Sequence, residues 1–202
     1  MQLDHLLARA QSLAYRISAD FNGQPLPPDR RACAAIGCLT VAQQHHCGII
    51  LLLRDDMPVH ASAFALIGHQ IETAFNALWL WYCASEEELG RFLADGSGKT
   101  MRQLVAQVDG VLAGSDGPEA ALLRDHWARL SDFVFSGERR IRHWLNANEV
   151  DAMYAEEAVI ELLELSNSIA ELGLASFRTI HDKHFTAPRS GEAAPVRLDL
   201  AK

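Results

Sequence analysis

Between Arg31 and Arg54 the chain carries no charged residue, and the run ACAAIGCLTVAQQHHCGIILLL is long enough as a helix to cross a bilayer. A second run, HASAFALIGHQIETAFNALWLWYC over residues 60–83, follows almost at once and is apolar except for a few polar residues such as His69, Gln70, Glu72 and Asn76. Such a pair of runs can form either a membrane hairpin or the two central helices of a bundle. The polar residues decide between them. Gln43, Gln44, His45 and His46 lie at the centre of the first run, where polar groups cost most in lipid, and Glu72 lies near the middle of the second. Two buried helices of a soluble bundle are the expectation, with no membrane contact.

The rest of the chain agrees with a helical reading. Leu3, Leu6, Leu7, Ala10, Leu13, Ala14 and Ile17 recur at helical spacing over residues 2–19. FNGQPLPPD at residues 21–29 breaks the chain before a second helix over about 30–53. Pro58 marks the start of a third, running to about Ala84. Ser85 and Glu88 make a capping box for a short fourth. ADGSGK is a loop before a fifth helix in MRQLVAQVDGVL, and a sixth follows Pro118. Residues 137–149 are ambiguous, and AEEAVIELLELSNSIAELGLASFRTIHDKH reads as one long last helix. The expected fold is all-α: a single-domain helical bundle of about six to eight helices over residues 1–185, with a mobile tail over 186–202.

Net charge is −8, which argues against broad affinity for nucleic acid or anionic membrane. No secretory signal is visible in MQLDHLLARAQ, and Cys33, Cys38, Cys47 and Cys83 form no C-x-x-C pair. Reduced, buried thiols in a cytoplasmic protein are the expectation.

Placed at 100° steps, Phe64, Ile67, Ile71, Phe75, Leu78 and Tyr82 form one stripe of the third helix, with Leu66, Ala77, Leu80 and Trp81 largely opposite. Glu72 then lies beside the stripe near Gly68, Asn76 and Trp79, and is expected to be at least partly buried. A buried carboxylate needs a partner, so Glu72 is either half of a structural ion pair or the anchor of a ligand site. The basic cluster ERRIRHW at residues 138–144, which contains Arg142, is a candidate partner for it or for the acidic last helix.

Other chemistry is thinly supported. GSGKT at residues 96–100 ends like a phosphate-binding loop, but Leu93 stands at its first glycine position and a helix precedes it where a strand is required. The nine histidines include no Glu-x-x-His and no H-E-x-x-H, so neither a metal nor another cofactor is expected. No G-x-S-x-G elbow is present. Arg54 and His60, in RDDMPVH, resemble the R-x(4–6)-H motif of the HEPN superfamily, all-helical domains that often dimerise and include metal-independent RNases. That resemblance implies a dimer cleft in which Arg54 and His60 act on an RNA backbone. Arg178 and His184 match the same loose spacing.

A broader resemblance covers roughly residues 50–180. Ala65, Leu66, Glu72, Leu78, Trp79 and Leu80, and later Leu130, Gly137, Arg142 and Tyr154, are similar to the pattern of a family of uncharacterised bacterial all-helical proteins. Gly68 and Asn76 stand where that pattern has arginines, and Phe135 where it has histidine. The resemblance implies a helical fold and no particular activity. The expected function is a non-catalytic binding or regulatory module acting as a homodimer, through the third helix (Leu66, Leu80, Trp81) or the last one. The alternatives are an RNase using Arg54 and His60, the one reading with RNA as partner, and a small-molecule binder around Glu72, Asn76, Trp79 and Arg142.

Overall fold

A computed structural model describes residues 2–114, 119–123 and 154–185. Among them the elements are α1 (Gln2–Phe21), α2 (Arg30–Arg54), α3 (His60–Tyr82), α4 (Glu86–Asp95), α5 (Met101–Leu112) and α6 (Glu156–Phe185). Residues 119–123 are also helical, and no described residue is in a strand. The all-α bundle is as expected. The sixth helix beyond residue 123, residues 137–149 and the tail 186–202 lie outside the described residues.

Local signals set most of the helix ends. Asp29 caps α2, its carboxylate accepting from the Arg31 and Ala32 N–H groups at 3.2 and 3.3 Å. Ser85 and Glu88 form the anticipated capping box on α4, and Thr100 with Gln103 forms another on α5. α3 starts at His60, two residues after Pro58, and its C-terminal carbonyls are capped from another helix. Arg31 donates to Leu80 O at 2.6 Å and Ala84 O at 2.5 Å, and pairs with Glu86 at 2.5 Å. Its side chain is only 18% exposed. Arg31→Ala is therefore expected to cost about 2 kcal/mol in urea unfolding, because these carbonyls lose a charged donor. Arg31→Lys should recover only part, since one ammonium cannot reproduce the guanidinium fork.

α2 and α3 pack as an antiparallel hairpin, and α6 lies against α1, α2 and α3. α6 is the centre of the bundle. Its residues Leu165 to Ala170 are all buried, so the helix is covered on every side in its middle turns. α3 changes character along its length. Ala74 to Leu80 are all buried, whereas Ala61, Ser62, Ala65, His69 and Glu72 face solvent in its first half.

Part of the expected dimer patch on α3 is covered within the chain itself. Leu80 is fully buried, Leu66 and Trp81 are partly buried, and the Lys183 ammonium lies 4.6 Å from the Trp81 ring centroid, with the His184 ring edge-on to it at 6.1 Å. The chain thus covers with its own helices what would otherwise be an apolar patch on α3, and it does the same for α6. α2 has the length and hydropathy of a membrane span. Its buried face includes Gln43 and His46 as well as Leu39, Ile49 and Leu53.

The GSGKT segment is a turn between helices. Gly96 (φ 86°) and Gly98 (φ 61°) take the left-handed conformation that a side chain disfavours. Lys99 points inward, 5.1 Å over the Trp79 ring and 3.0 Å from Glu88, and Thr100 caps α5. The groups that would cradle a phosphate are thus engaged in joining α4 to α5 and α3.

Candidate functional site

At the level where α6 is buried all round, three helices contribute polar side chains to one layer. His46 from α2, Gln70 from α3 and Ser166 from α6 are each completely shielded from solvent. His46 Nδ1 lies 2.8 Å from Ser166 Oγ. Ser166 Oγ lies 2.7 Å from Gln70 Oε1, and Gln70 Nε2 donates to the Ser166 carbonyl at 2.9 Å. One turn of α2 earlier, Gln43 donates to the Ala14 carbonyl of α1 at 3.2 Å.

The protons in this layer can be assigned from the bonding alone. A carbonyl only accepts, so the Gln70 nitrogen must face Ser166 O, which leaves Oε1 as the acceptor for the Ser166 hydroxyl. With that hydroxyl proton committed, Ser166 Oγ must accept from His46, so His46 is the Nδ1–H tautomer. Its Nε2 carries a lone pair and makes no hydrogen bond. Burial pushes the His46 pKa down to about 4, against an opposing pull from the Ala10 carbonyl. Serine and histidine are adjacent here, but the proton runs the wrong way for catalysis. An activated serine donates to the imidazole, whereas Ser166 accepts from it and has no access to solvent. The layer instead holds α2, α3 and α6 in one register.

The residues singled out in the sequence are scattered. Glu72 is exposed, its side chain 54% accessible, and its nearest partner is His69 on the same helix at 3.9 Å. The expectation that it is at least partly buried does not hold, because α3 is buried all round only from Ala74 to Leu80, and at the level of Glu72 the same face is open to solvent. Glu72→Ala and Glu72→Gln are consequently both expected to stay within about 0.5 kcal/mol of wild type in thermal unfolding. A loss above ~2 kcal/mol for alanine alone would restore the ion pair. Asn76 and Trp79 are buried, and neither Asn76 Oδ1 nor Trp79 Nε1 has a hydrogen-bond partner. Asn76 and Trp79 lie about one and two turns beyond Glu72 on the same face of α3, buried where Glu72 is exposed. Arg142 lies outside the described residues.

Arg54 is exposed, while His60 is buried and accepts the Tyr154 N–H at Nδ1, 3.2 Å away. Tyr154 also stacks on Phe64 with centroids 4.2 Å apart. His60 thus anchors the start of α6 to the start of α3, and burial pushes its pKa down. No hydrogen bond joins Arg54 to His60 among the described residues. The second pair divides likewise. Arg178 bonds Asp20 of α1 at 2.6 Å, and His184 packs on Trp81 near Asp29. The four cysteines are unpaired thiols, and burial raises the pKa of each, that of Cys38 to about 11. Among the described residues no three His, Cys, Asp or Glu side chains gather as a metal-ligand set.

Two features escaped the sequence reading. The buried polar layer joins residues 120 positions apart, and its visible signal was the polar centre of each apolar run. The other is Glu119, only 2% exposed, which accepts the Tyr82 hydroxyl at 3.2 Å. A deeply buried carboxylate thus sits near the end of α3 rather than at Glu72. Burial and the Glu119 charge both push the Tyr82 pKa upward.

A family model described as a family of unknown function (DUF6988) matches residues 39–189, about three quarters of the chain. The chain belongs to this family. As the resemblance around Ala65–Leu80 implied, the relationship carries a helical fold and no assigned activity. The matched segment opens inside α2 and contains His46, Gln70 and Ser166, whereas α1, whose Ala14 carbonyl receives Gln43, lies outside it. No curated protein and no solved structure matches the chain.

Proposed function

We propose that the protein is a non-catalytic binding module that acts as a homodimer. The observation that carries this reading is the closed His46–Ser166–Gln70 layer. The densest set of reactive side chains described has its shared protons committed to holding helices together, and no solvent reaches it. The same holds for Lys99, His60 and Arg178, each engaged in joining one helix to another.

Two measurements test the proposal. Light scattering across a dilution series should give twice the 22.3 kDa chain mass. Monomer mass at on the order of tens of micromolar would reject the dimer. Structured and single-stranded RNA should survive incubation with the protein in the absence of metal. Cleavage abolished by His60→Ala would replace this reading with an RNase, because burial of His60 would then have to be relieved in the active form.

A further inference from the structure

Two imidazoles lie side by side across the α2–α3 hairpin, outside the buried layer. His45 of α2 is half-buried and His69 of α3 is exposed, with ring centroids 5.8 Å apart and planes 32° from one another. The close approach has a backbone cause. One turn along the hairpin, a Cβ at Gly48 would stand 3.0 Å from Leu66 Cδ1, so glycine lets α2 and α3 draw together here. No hydrogen bond among the described residues ties a nitrogen of either ring. Glu72, one turn beyond His69 on α3, brings a carboxylate oxygen 3.9 Å from His69 Nδ1. Burial, and after it the neighbouring His69, pushes the His45 pKa down, so its ring is neutral at pH 7 and keeps a free lone pair.

We propose that His45 and His69 clamp a divalent transition-metal ion between α2 and α3, with Glu72 as the third protein donor and water completing the coordination. The proposal goes beyond the homodimer reading and does not rest on it. The donor set selects the class of ion. Imidazole with carboxylate suits Zn²⁺ and its first-row neighbours, whereas Mg²⁺ and Ca²⁺ take oxygen donors. The spacing fits as well. Metal–nitrogen bonds of about 2.1 Å put the centroids of two imidazoles on one ion roughly 5 Å apart. The observed 5.8 Å is within a small side-chain rotation of that. Two donors on a tetrahedral ion stand about 3.4 Å apart, close to the 3.9 Å between His69 and Glu72. The hairpin preplaces the two rings, while the exposed Glu72 side chain converges on them only by turning about its own bonds, so no three-residue set is assembled in advance. Sequence spacing hid the pair, because His45 and His69 come from different helices and match no motif written along one.

Titration of the full chain with Zn²⁺ by isothermal calorimetry, in a buffer that does not chelate, tests the clamp, with circular dichroism as the check on folding. One ion should bind per chain. His45→Ala and His69→Ala should each weaken binding about tenfold or more, since losing a ligand costs at least as much as losing a group that orients one. Glu72→Gln should weaken it by a smaller factor, because water can take the place of the carboxylate. His69 is exposed, so its removal leaves the fold intact and the comparison stays readable. Removing both histidines should cost little more than removing either, because a single ring cannot chelate. Binding unchanged in His45→Ala or in His69→Ala would overturn the clamp and assign the zinc to the cysteines or to an adventitious ion only. No heat of binding to wild type at on the order of 100 µM zinc would overturn it equally. Mg²⁺ competing as well as Zn²⁺ would mean a simple charge site, and would overturn it too.

Discussion

Gln70→Ala is expected to lower the free energy of unfolding by about 4 kcal/mol, measured by urea denaturation at neutral pH. Two losses combine. The side chain is completely buried between α3 and α6, so truncation opens a cavity that helices packed on all sides cannot close. It also removes the acceptor of the Ser166 hydroxyl and a donor to the Ser166 carbonyl. Gln70→Met separates the two losses. Methionine keeps the volume and removes only the hydrogen bonds, so it should cost about 1–2 kcal/mol. The Ser166 carbonyl retains its place in the helix, and the hydroxyl can turn back onto α6, which keeps the methionine cost small. If alanine matched wild type within about 0.5 kcal/mol, the layer would hold nothing together.

Acidification should separate wild type from His46→Gln by about 3 kcal/mol between pH 7 and pH 4. In the folded protein burial pushes the His46 pKa from 6.5 to about 4. The unfolded chain therefore binds more protons across that interval, and stability falls as pH drops from 6.5 toward 4. Above 6.5 both states hold a neutral ring and the penalty is absent. Below 4 both are protonated and it stops growing. Burial also lowers the pKa of His45 and His60, so the wild-type profile slopes further in the same direction. The difference between the two proteins isolates His46. Superimposable pH profiles would mean that the ring is solvated or already charged in the fold.

How much of this was legible in the chain is best judged on α3. Its extent, its helical state and its central position follow from apolar content and period, which act locally. Its rotation does not. The expected apolar stripe is buried at Ile67, Ile71, Phe75 and Leu78, but in the first half of α3 the buried side extends to Ala63, Gln70 and Ala74, while Phe64 is only partly buried. That side takes Gln70 inside and leaves Glu72 in water. Those two polar residues are about 160° apart on the helix, so its rotation decides which of them is buried. Nothing in the local sequence sets that rotation, because it depends on the shapes of helices far along the chain.

Hydrophobic periodicity, capping residues and prolines determined by themselves that this chain is a helical bundle, and nearly where its helices run. They also determined that its most apolar helices would carry polar groups into the core. Only the tertiary structure decided which polar groups meet. His46 and Ser166 are 120 positions apart, and their hydrogen bond exists because α6 passes beside α2 at that level. The same packing buried Leu80 and Trp79, shielded Trp81 and left Val41 and Leu51 outside. The physical reason is range. Helix formation is settled by neighbours three and four residues away, whereas burial of a side chain depends on every helix that can reach it.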